Sequence, residues 1–286
     1  MIYFLNGGCI MKLKYYGTAA AEGVPGLFCE CETCRKSRKY GGRNFRSRSQ
    51  ALVNGKLLID FPPDTLYHVF NFGLELHKIQ NMIITHRHPD HLRASDLFNL
   101  AKTYAYPDDR MPLHIYGTQP TIDDIAYMLQ KNNMISQGRW ILHEVMPYEK
   151  YEIDGMTVIP YCANHDFSVS PVIYDISDGD KRMLYGNDTG WFTDKTWEYI
   201  ENNKPKFDFV SLDCTCGVKP DCGCHMNLEL CVKTADKLRE LGCADKDTVF
   251  YLHHFSHNDG VTYDELVPIA EKQGFGVSYD GLEVEF

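Results

Sequence analysis

Between Thr85 and Leu92 the chain reads Thr-His-Arg-His-Pro-Asp-His-Leu, which puts three histidines and one carboxylate within six residues. Neutral imidazole and carboxylate together suit a divalent cation such as zinc, manganese or iron. The preceding run, Met82-Ile83-Ile84-Thr85, is apolar and β-branched and reads as a buried strand. Pro89 cannot continue a strand ladder, so the chain leaves the sheet here. The imidazoles therefore belong on a loop at the end of a rigid strand, a good place to hold a metal.

Further donors return after later strand patterns. His165 follows the strand pattern 156–161, and Asp188 leaves the pattern 182–185 into a turn bounded by Gly186 and Gly190. His253, His254 and His257 follow the strand pattern 248–252. His225 stands at the start of a helical stretch, 226–241, where it could project into a cleft. His68, His77, His114 and His143 lack partner spacing and read as ordinary surface or core residues.

Thiols form two groups. Cys29, Cys31 and Cys34 lie within six residues. Three thiolates this close would repel one another without a cation, and zinc held by three cysteines and one histidine is a common closed site. Cys214, Cys216, Cys222 and Cys224 form two Cys-x-Cys pairs that could bind a further zinc. Arg43, Arg46 and Arg48 make a basic patch able to fork onto a phosphate.

The elements that must position these groups alternate. Strand patterns at 12–17, 50–53, 56–60, 113–116 and 141–145 are separated by helical patterns at 64–72, 94–103 and 121–137. Asn54-Gly55 and Ser177-Asp178-Gly179-Asp180 are hairpin signals. Asp64 is a candidate helix cap, and Thr121 should cap the helix it opens. Strands alternating with helices, with donors on the connections, describe a two-sheet sandwich flanked by helices.

Composition narrows the class. At 286 residues and 44% hydrophobic the chain can bury a substantial core. A net charge of -10 argues against a surface that coats nucleic acid. Its apolar stretches are far shorter than a membrane span, so no membrane association is expected. Eleven cysteines, an odd number in metal-like spacings, fit a reducing cytoplasm better than a disulfide framework. Residues 1–10 make a poor signal peptide and read as an N-terminal extension or an added edge strand, with Met11 a natural alternative start.

The Thr85–Leu92 stretch resembles the His-x-His-x-Asp-His signature of the metallo-β-lactamase superfamily, and the later donors carry the resemblance from Lys12 to the C-terminus. It implies an α/β fold, the αββα sandwich, in a single domain over 1–286. By this resemblance His86, His88 and His165 hold one metal, Asp90, His91 and His254 a second, and Asp188 bridges them, while Asp60 supports a ligand histidine. Two such cations share a water, lower its pKa and clamp an in-line displacement. Aspartate rather than cysteine at the bridge fits phosphodiesterase-like branches, not β-lactam hydrolysis.

The Gly17-Thr18 loop followed by Cys29-x-Cys31-x-x-Cys34 is similar to the phosphoribosyl cyclic phosphodiesterases of phosphonate utilisation. That narrower resemblance implies a structural zinc on Cys29, Cys31, Cys34 and His257. It also implies Asp90 and His225 as catalytic residues, His225 as general acid or phosphate stabiliser. His253 competes with His254 as ligand but lacks the three-residue spacing to a second histidine. The expected activity is hydrolysis of a small cyclic or nucleotide-like phosphodiester, with Arg46 and Arg48 on the phosphate and a homodimer compatible. Two alternatives stand beside it: a lactone or ester hydrolase on the same site, and a non-hydrolytic protein resembling the pyrroloquinoline quinone accessory protein.

Overall fold

Strand Lys12–Gly17 (β1) buries Leu13 and Tyr15 completely while Lys12 is exposed, the period-two pattern of a half-buried strand. It begins the first of two sheets in a computed structural model that describes residues 10–106 and 112–286. The expected extension over 1–10, apart from its last residue, lies outside the described residues, as does part of the loop before Pro112.

The first sheet continues with Gln50–Val53 (β2), Leu57–Ile59 (β3), Asn81–Ile83 (β4), Leu113–Gly117 (β5) and Trp140–Glu144 (β6). The expected hairpin joins β2 to β3. Asn54 and Gly55 take φ of 50° and 69°, and Lys56 N donates to Val53 O at 2.9 Å. From β3 to β6 the pairing is parallel. Leu57, Leu58 and Ile59 are buried on both faces, as expected where helices cover a parallel sheet.

The second sheet holds Tyr151–Ile153 (β7), Met156–Cys162 (β8), Val172–Ser177 (β9), Arg182–Gly186 (β10), Phe209–Asp213 (β11), Val249–His253 (β12) and Phe275–Val277 (β13). It repeats the plan of the first: antiparallel from β7 to β10, then parallel to β13. A last strand, Glu283–Glu285 (β14), crosses back and pairs antiparallel with β1. Each sheet thus has seven strands among the described residues.

The sheets share an apolar layer in which Leu13, Tyr15, Ile59 and Ile83 meet Val158, Tyr174, Met183 and Phe209. Helices cover the outer faces. Over the first sheet, Thr65–Phe72 (α2, after the short Glu32–Tyr40, α1) and Gln119–Lys131 (α3) pack on Leu58, Met82 and Ile115. Over the second, Asp194–Asn203 (α4), Leu228–Glu240 (α5) and Tyr263–Glu271 (α6) pack on Val210, Leu212 and Leu252. Helix α5 buries Leu228, Cys231, Thr234, Ala235 and Leu238, a stripe at helical spacing. Truncating Leu238 to alanine would cost about 2–5 kcal/mol. This is the αββα sandwich.

Three local expectations need correction. Helix α3 starts two residues early, after Thr118, and Thr121 is buried inside it. Residues 94–100 form a 3-10 helix, because Ser95, Asp96 and Asn99 bond among themselves instead of supporting an α-helical ladder. Asp64 precedes α2 without capping it; its carboxylate accepts from Arg48 N at 2.8 Å and pairs with the Arg48 guanidinium.

Candidate metal centre

The donors converge where strands of both sheets end. His86 and His88 follow β4, His165 follows β8, Asp188 follows β10 and His254 follows β12. His86 Nε2 lies 2.9 Å from His88 Nδ1 and 3.1 Å from Asp188 Oδ2. His165 Nε2 lies 3.2 Å from His88 Nδ1. These four residues form one group that could hold a metal. Asp90, His91, Asp188 and His254 form a second, buried group. There His91 Nε2 lies 3.1 Å from Asp188 Oδ2, 3.2 Å from His254 Nε2 and 3.4 Å from Asp90 Oδ2. Asp188 belongs to both.

Other side chains hold the donors in position. Asp60 is fully buried and accepts from Thr85 N at 2.8 Å and Thr85 Oγ1 at 2.9 Å. Its Oδ2 lies 2.7 Å from His91 Nδ1, which fixes the ring so that Nε2 faces Asp188. Thr215 Oγ1 lies 2.8 Å from His254 Nδ1 and donates to His254 O. Asp60, Asp188 and His254 have φ of 64°, 55° and 60°, left-handed values rare outside glycine. Each costs of order 1–3 kcal/mol and persists because its surroundings over-determine it.

His253 is the last residue of β12 and points into the core between the sheets. Its Nε2 lies 2.9 Å from Ser49 Oγ and its Nδ1 2.9 Å from Ser278 Oγ. Strand parity separates the two adjacent histidines, so only His254 joins the donor groups.

The protonation states match a cation site. Burial works against charge on Asp188, but His254, His86 and His91 outweigh it and hold the carboxylate well below its ordinary range. Burial and the neighbouring His91 push His86 down to about 4, keeping it a neutral donor. His91 moves the other way: Asp90 and Asp60 overcome its burial and raise it well above the usual imidazole value. Nε2 of this ring faces Asp188 and Asp90, the side on which a cation would bind. Asp188 Oδ1 and His165 Nδ1 are buried 3.5 Å apart, and Asp188 Oδ1 is 3.2 Å from His225 Nδ1, yet neither atom makes an aligned hydrogen bond. Converging imidazole nitrogens, ionised carboxylates and buried atoms without an aligned hydrogen bond are a donor set that suits divalent cations.

A separate group joins the loop before α1 to the 3-10 turn after β12. Cys29 Sγ and Cys31 Sγ each lie 3.6 Å from His257 Nδ1, and Cys34 completes the set. With zinc bonds of about 2.3 Å to sulfur and 2.0–2.1 Å to nitrogen, a tetrahedral site separates the two donors by about 3.6 Å. Backbone amides of Gly26, Cys31 and Cys34 point at the three sulfurs.

The donors floor a cavity of about 450 Å³. His225 forms part of its wall, with Nδ1 3.0 Å from Asp213 Oδ2 and 3.2 Å from Asp188 Oδ1. Burial opposes charge on this ring, but Asp213 and Asp188 prevail and raise it to about 10. Asp213 was not singled out from sequence. It is fully buried and accepts from Thr215 N and Met226 N as well. Its only signal was an acid at the end of an apolar strand pattern. A larger apolar cavity, about 630 Å³, lies beside Phe61, Leu66 and Tyr106 and holds no donor group among the described residues.

Arg46 and Arg48 do not reach the donor cavity, a correction to their expected role on phosphate. Arg46 is buried, donates to Thr18 Oγ1 and Ser278 O, and stacks 3.8 Å over Phe255. Arg48 is committed to Asp64 and to Ala21 O. Both serve the loop beneath the cavity. The lysine or arginine lining the cavity, among the described residues, is Lys219, which was missed because it sits alone in a cysteine-rich loop.

Residues 56–255 match the model of the beta-lactamase superfamily domain. No curated protein matches the chain. Among solved structures, a diphosphatase from the PhnP family is similar over 97% of this chain and 98% of its own, with 23% identity and a TM-score of 0.74. Zinc-bound PqqB from Methylobacterium extorquens is similar over 96% and 99%, at 17% identity and a TM-score of 0.67. The short form of human tRNase Z is similar over 96% and 98%, at 15% identity and a TM-score of 0.64. At these identities the likeness speaks for the fold. No helix among the described residues is long and apolar enough to cross a membrane.

Proposed function

The chain belongs to the beta-lactamase superfamily, and from that premise we propose that it is a metal-dependent phosphodiesterase acting on a small cyclic or nucleotide-like phosphodiester. The observation that carries this reading is the pair of donor groups sharing Asp188 at the floor of a cavity of about 450 Å³. In this reading His86, His88 and His165 hold one divalent cation, Asp90, His91 and His254 the other, with Asp188 between them. When bound, zinc, manganese or iron would polarise the phosphoryl group and acidify water.

The chain's own residues do the rest. Asp90, on the cavity floor, orients the attacking water, whose proton passes to solvent. The new bond joins water oxygen to phosphorus, and one P–O ester bond breaks. His225, held through Nδ1 by Asp213, protonates the leaving oxygen or stabilises the phosphoryl charge. Lys219 supplies a positive rim. Cys29, Cys31, Cys34 and His257 would hold a structural zinc, which would pin the loop carrying Glu22 to the cavity edge. In the structure Glu22 accepts from Ser256 Oγ and Asn258 Nδ2, on either side of His257. The diphosphatase among its structural neighbours agrees with phosphoryl chemistry. All ten described cysteines are unpaired, consistent with a reducing cytoplasm.

The test is hydrolysis of bis-p-nitrophenyl phosphate by protein loaded with manganese or zinc, beside His88→Ala. Turnover that vanishes in the variant is expected. Protein with its full metal complement and no turnover would sink the diesterase reading. One observation favours a second reading: without Arg46 and Arg48 the cavity offers, among the described residues, a single lysine for phosphate. A lactone or other ester needs less positive charge, so the same preparation assayed on lactones decides between them.

A further inference from the structure

We propose that Cys216 and Cys222 form an oxidative modification site, which a hydroperoxide converts reversibly into one intramolecular disulfide in the wall of the donor cavity. Cys216 Sγ lies 3.4 Å from Cys222 Sγ, closer than the 3.9 Å that separates Cys222 Sγ from Cys224 Sγ. A disulfide holds its sulfurs at about 2.05 Å, so the bond forms once the two approach by about 1.4 Å. The two Cys-x-Cys pairs do not gather as one metal-holding group among the described residues, a correction to the further zinc expected there. Cys214 is instead fully buried in the core with Cys231.

The loop holds one sulfur in place and presents the other. Cys216 N donates to Met226 O, Lys219 N donates to Cys216 O, and Leu228 N donates to Gly217 O. Residues 218–223 are exposed, Cys222 among them. Gly217 and Gly223, at φ of 53° and 84°, let the chain turn at either side of Cys222. Both thiols line the donor cavity, so a small oxidant can reach the pair. Other thiols are differently committed. Cys214, Cys231 and Cys243 are buried in the core, and Cys29, Cys31 and Cys34 converge with His257.

Burial and the adjoining Cys222 push the Cys216 thiol up to about 12, which leaves the exposed Cys222 to meet the oxidant first. With hydrogen peroxide, the Cys222 sulfur attacks one oxygen, the O–O bond breaks and an S–O bond forms. Cys222 becomes a sulfenic acid and one water leaves. The Cys216 sulfur then attacks the Cys222 sulfur, the S–O bond breaks, and the Cys216 proton leaves with the hydroxyl as a second water. The two thiols lose two electrons and two hydrogens, and one peroxide is reduced to two waters. A small thiol reverses the bond by exchange. The ring so closed contains Lys219, which also lines the cavity, and ends two residues before Cys224 and three before His225. Asn164 Nδ2 donates to Gly223 O at 3.2 Å, which joins this loop to the segment carrying His165. Oxidation therefore restrains a wall that holds both histidines. The inference concerns thiol chemistry alone and is independent of the hydrolase reading.

The test uses the full chain, reduced, loaded with zinc, desalted and treated with excess hydrogen peroxide. Remaining thiols are alkylated, and a protease that cuts before aspartate parts Cys216 from Cys222 at Asp221. Wild type is expected to lose two alkylatable thiols per chain and to yield peptides joined through Cys216 and Cys222, located by fragmentation. Dithiothreitol before alkylation should restore both thiols. Cys224→Ser should keep the bond, and Cys222→Ser should leave Cys216 alkylated. The mapping of wild type decides by itself, even if a variant does not fold. Wild type in which both thiols stay alkylatable after prolonged oxidation would overturn the proposal. So would Cys222 found joined to Cys224 or to another chain, or halted as a sulfinic acid while Cys216 stays free.

Discussion

At the scale of single residues, the centre depends on groups that touch no cation in the proposed reading. Asp60 fixes the His91 ring through Nδ1 and ties down Thr85. Asp60→Ala should weaken metal binding about 10–100-fold, the usual effect of losing such a partner. A competition titration against a coloured chelator measures it, and unchanged affinity would refute the role. His68 offers a prediction on pH. It is fully buried, with Nδ1 2.6 Å from Gln50 Oε1, and burial lowers it to about 4. The unfolded chain takes up this proton below about 6.5, the folded chain only below about 4, so stability falls as pH drops through that window. Between pH 7 and 4.5 His68 should contribute about 2–3 kcal/mol of the loss, a contribution missing from His68→Gln. Urea unfolding at the two pH values, compared between wild type and variant, gives the difference; equal slopes would count against it. The signature histidines and Asp90 were legible because type and spacing alone mark them. Arg46 was not, because a guanidinium stacked on Phe255 and one waiting for phosphate look identical in sequence.

At the scale of elements, the loops after the strands decide geometry. A Cβ built on Gly190 would lie 2.1 Å from Gly223 O, so the Asp188 turn and the loop carrying Gly223 fit only with glycine at 190. Gly190→Ala should destabilise the protein by about 1–3 kcal/mol, lower its melting temperature and loosen the His165 and Asp188 donors. Melting with and without zinc would reveal this as a smaller stabilisation by metal than in wild type; an unchanged profile would mean that the loops yield freely. Strand positions were readable from alternation and from β-branched runs, and the hairpin at Asn54-Gly55 from its turn residues. The 3-10 segment 94–100 was not, because its apolar spacing suits a helix while its side chains compete for the backbone. His253 and His254 became distinguishable only once the end of β12 fixed which faces the core.

At the scale of the molecule, both sheets contribute to the centre. Chelator treatment should lower the melting temperature, and re-addition of zinc should restore it in proportion to the logarithm of free metal, by about 2.7 kcal/mol per site at a hundredfold excess over Kd. A melting temperature insensitive to chelator would contradict the proposed sites. The superfamily signature made the overall architecture legible, while the matching plan of the two sheets and the return of β14 to β1 emerged only from long-range pairing. That plan has a consequence for the order of events in folding. His86, His88, Asp90 and His91 come from the part of the chain before β7, and His165, Asp188 and His254 from the part after it. The cysteine–histidine group is divided the same way, with three thiols early and His257 late. In the proposed reading none of these three shells is complete in one half, so full coordination would follow assembly of both sheets rather than precede it.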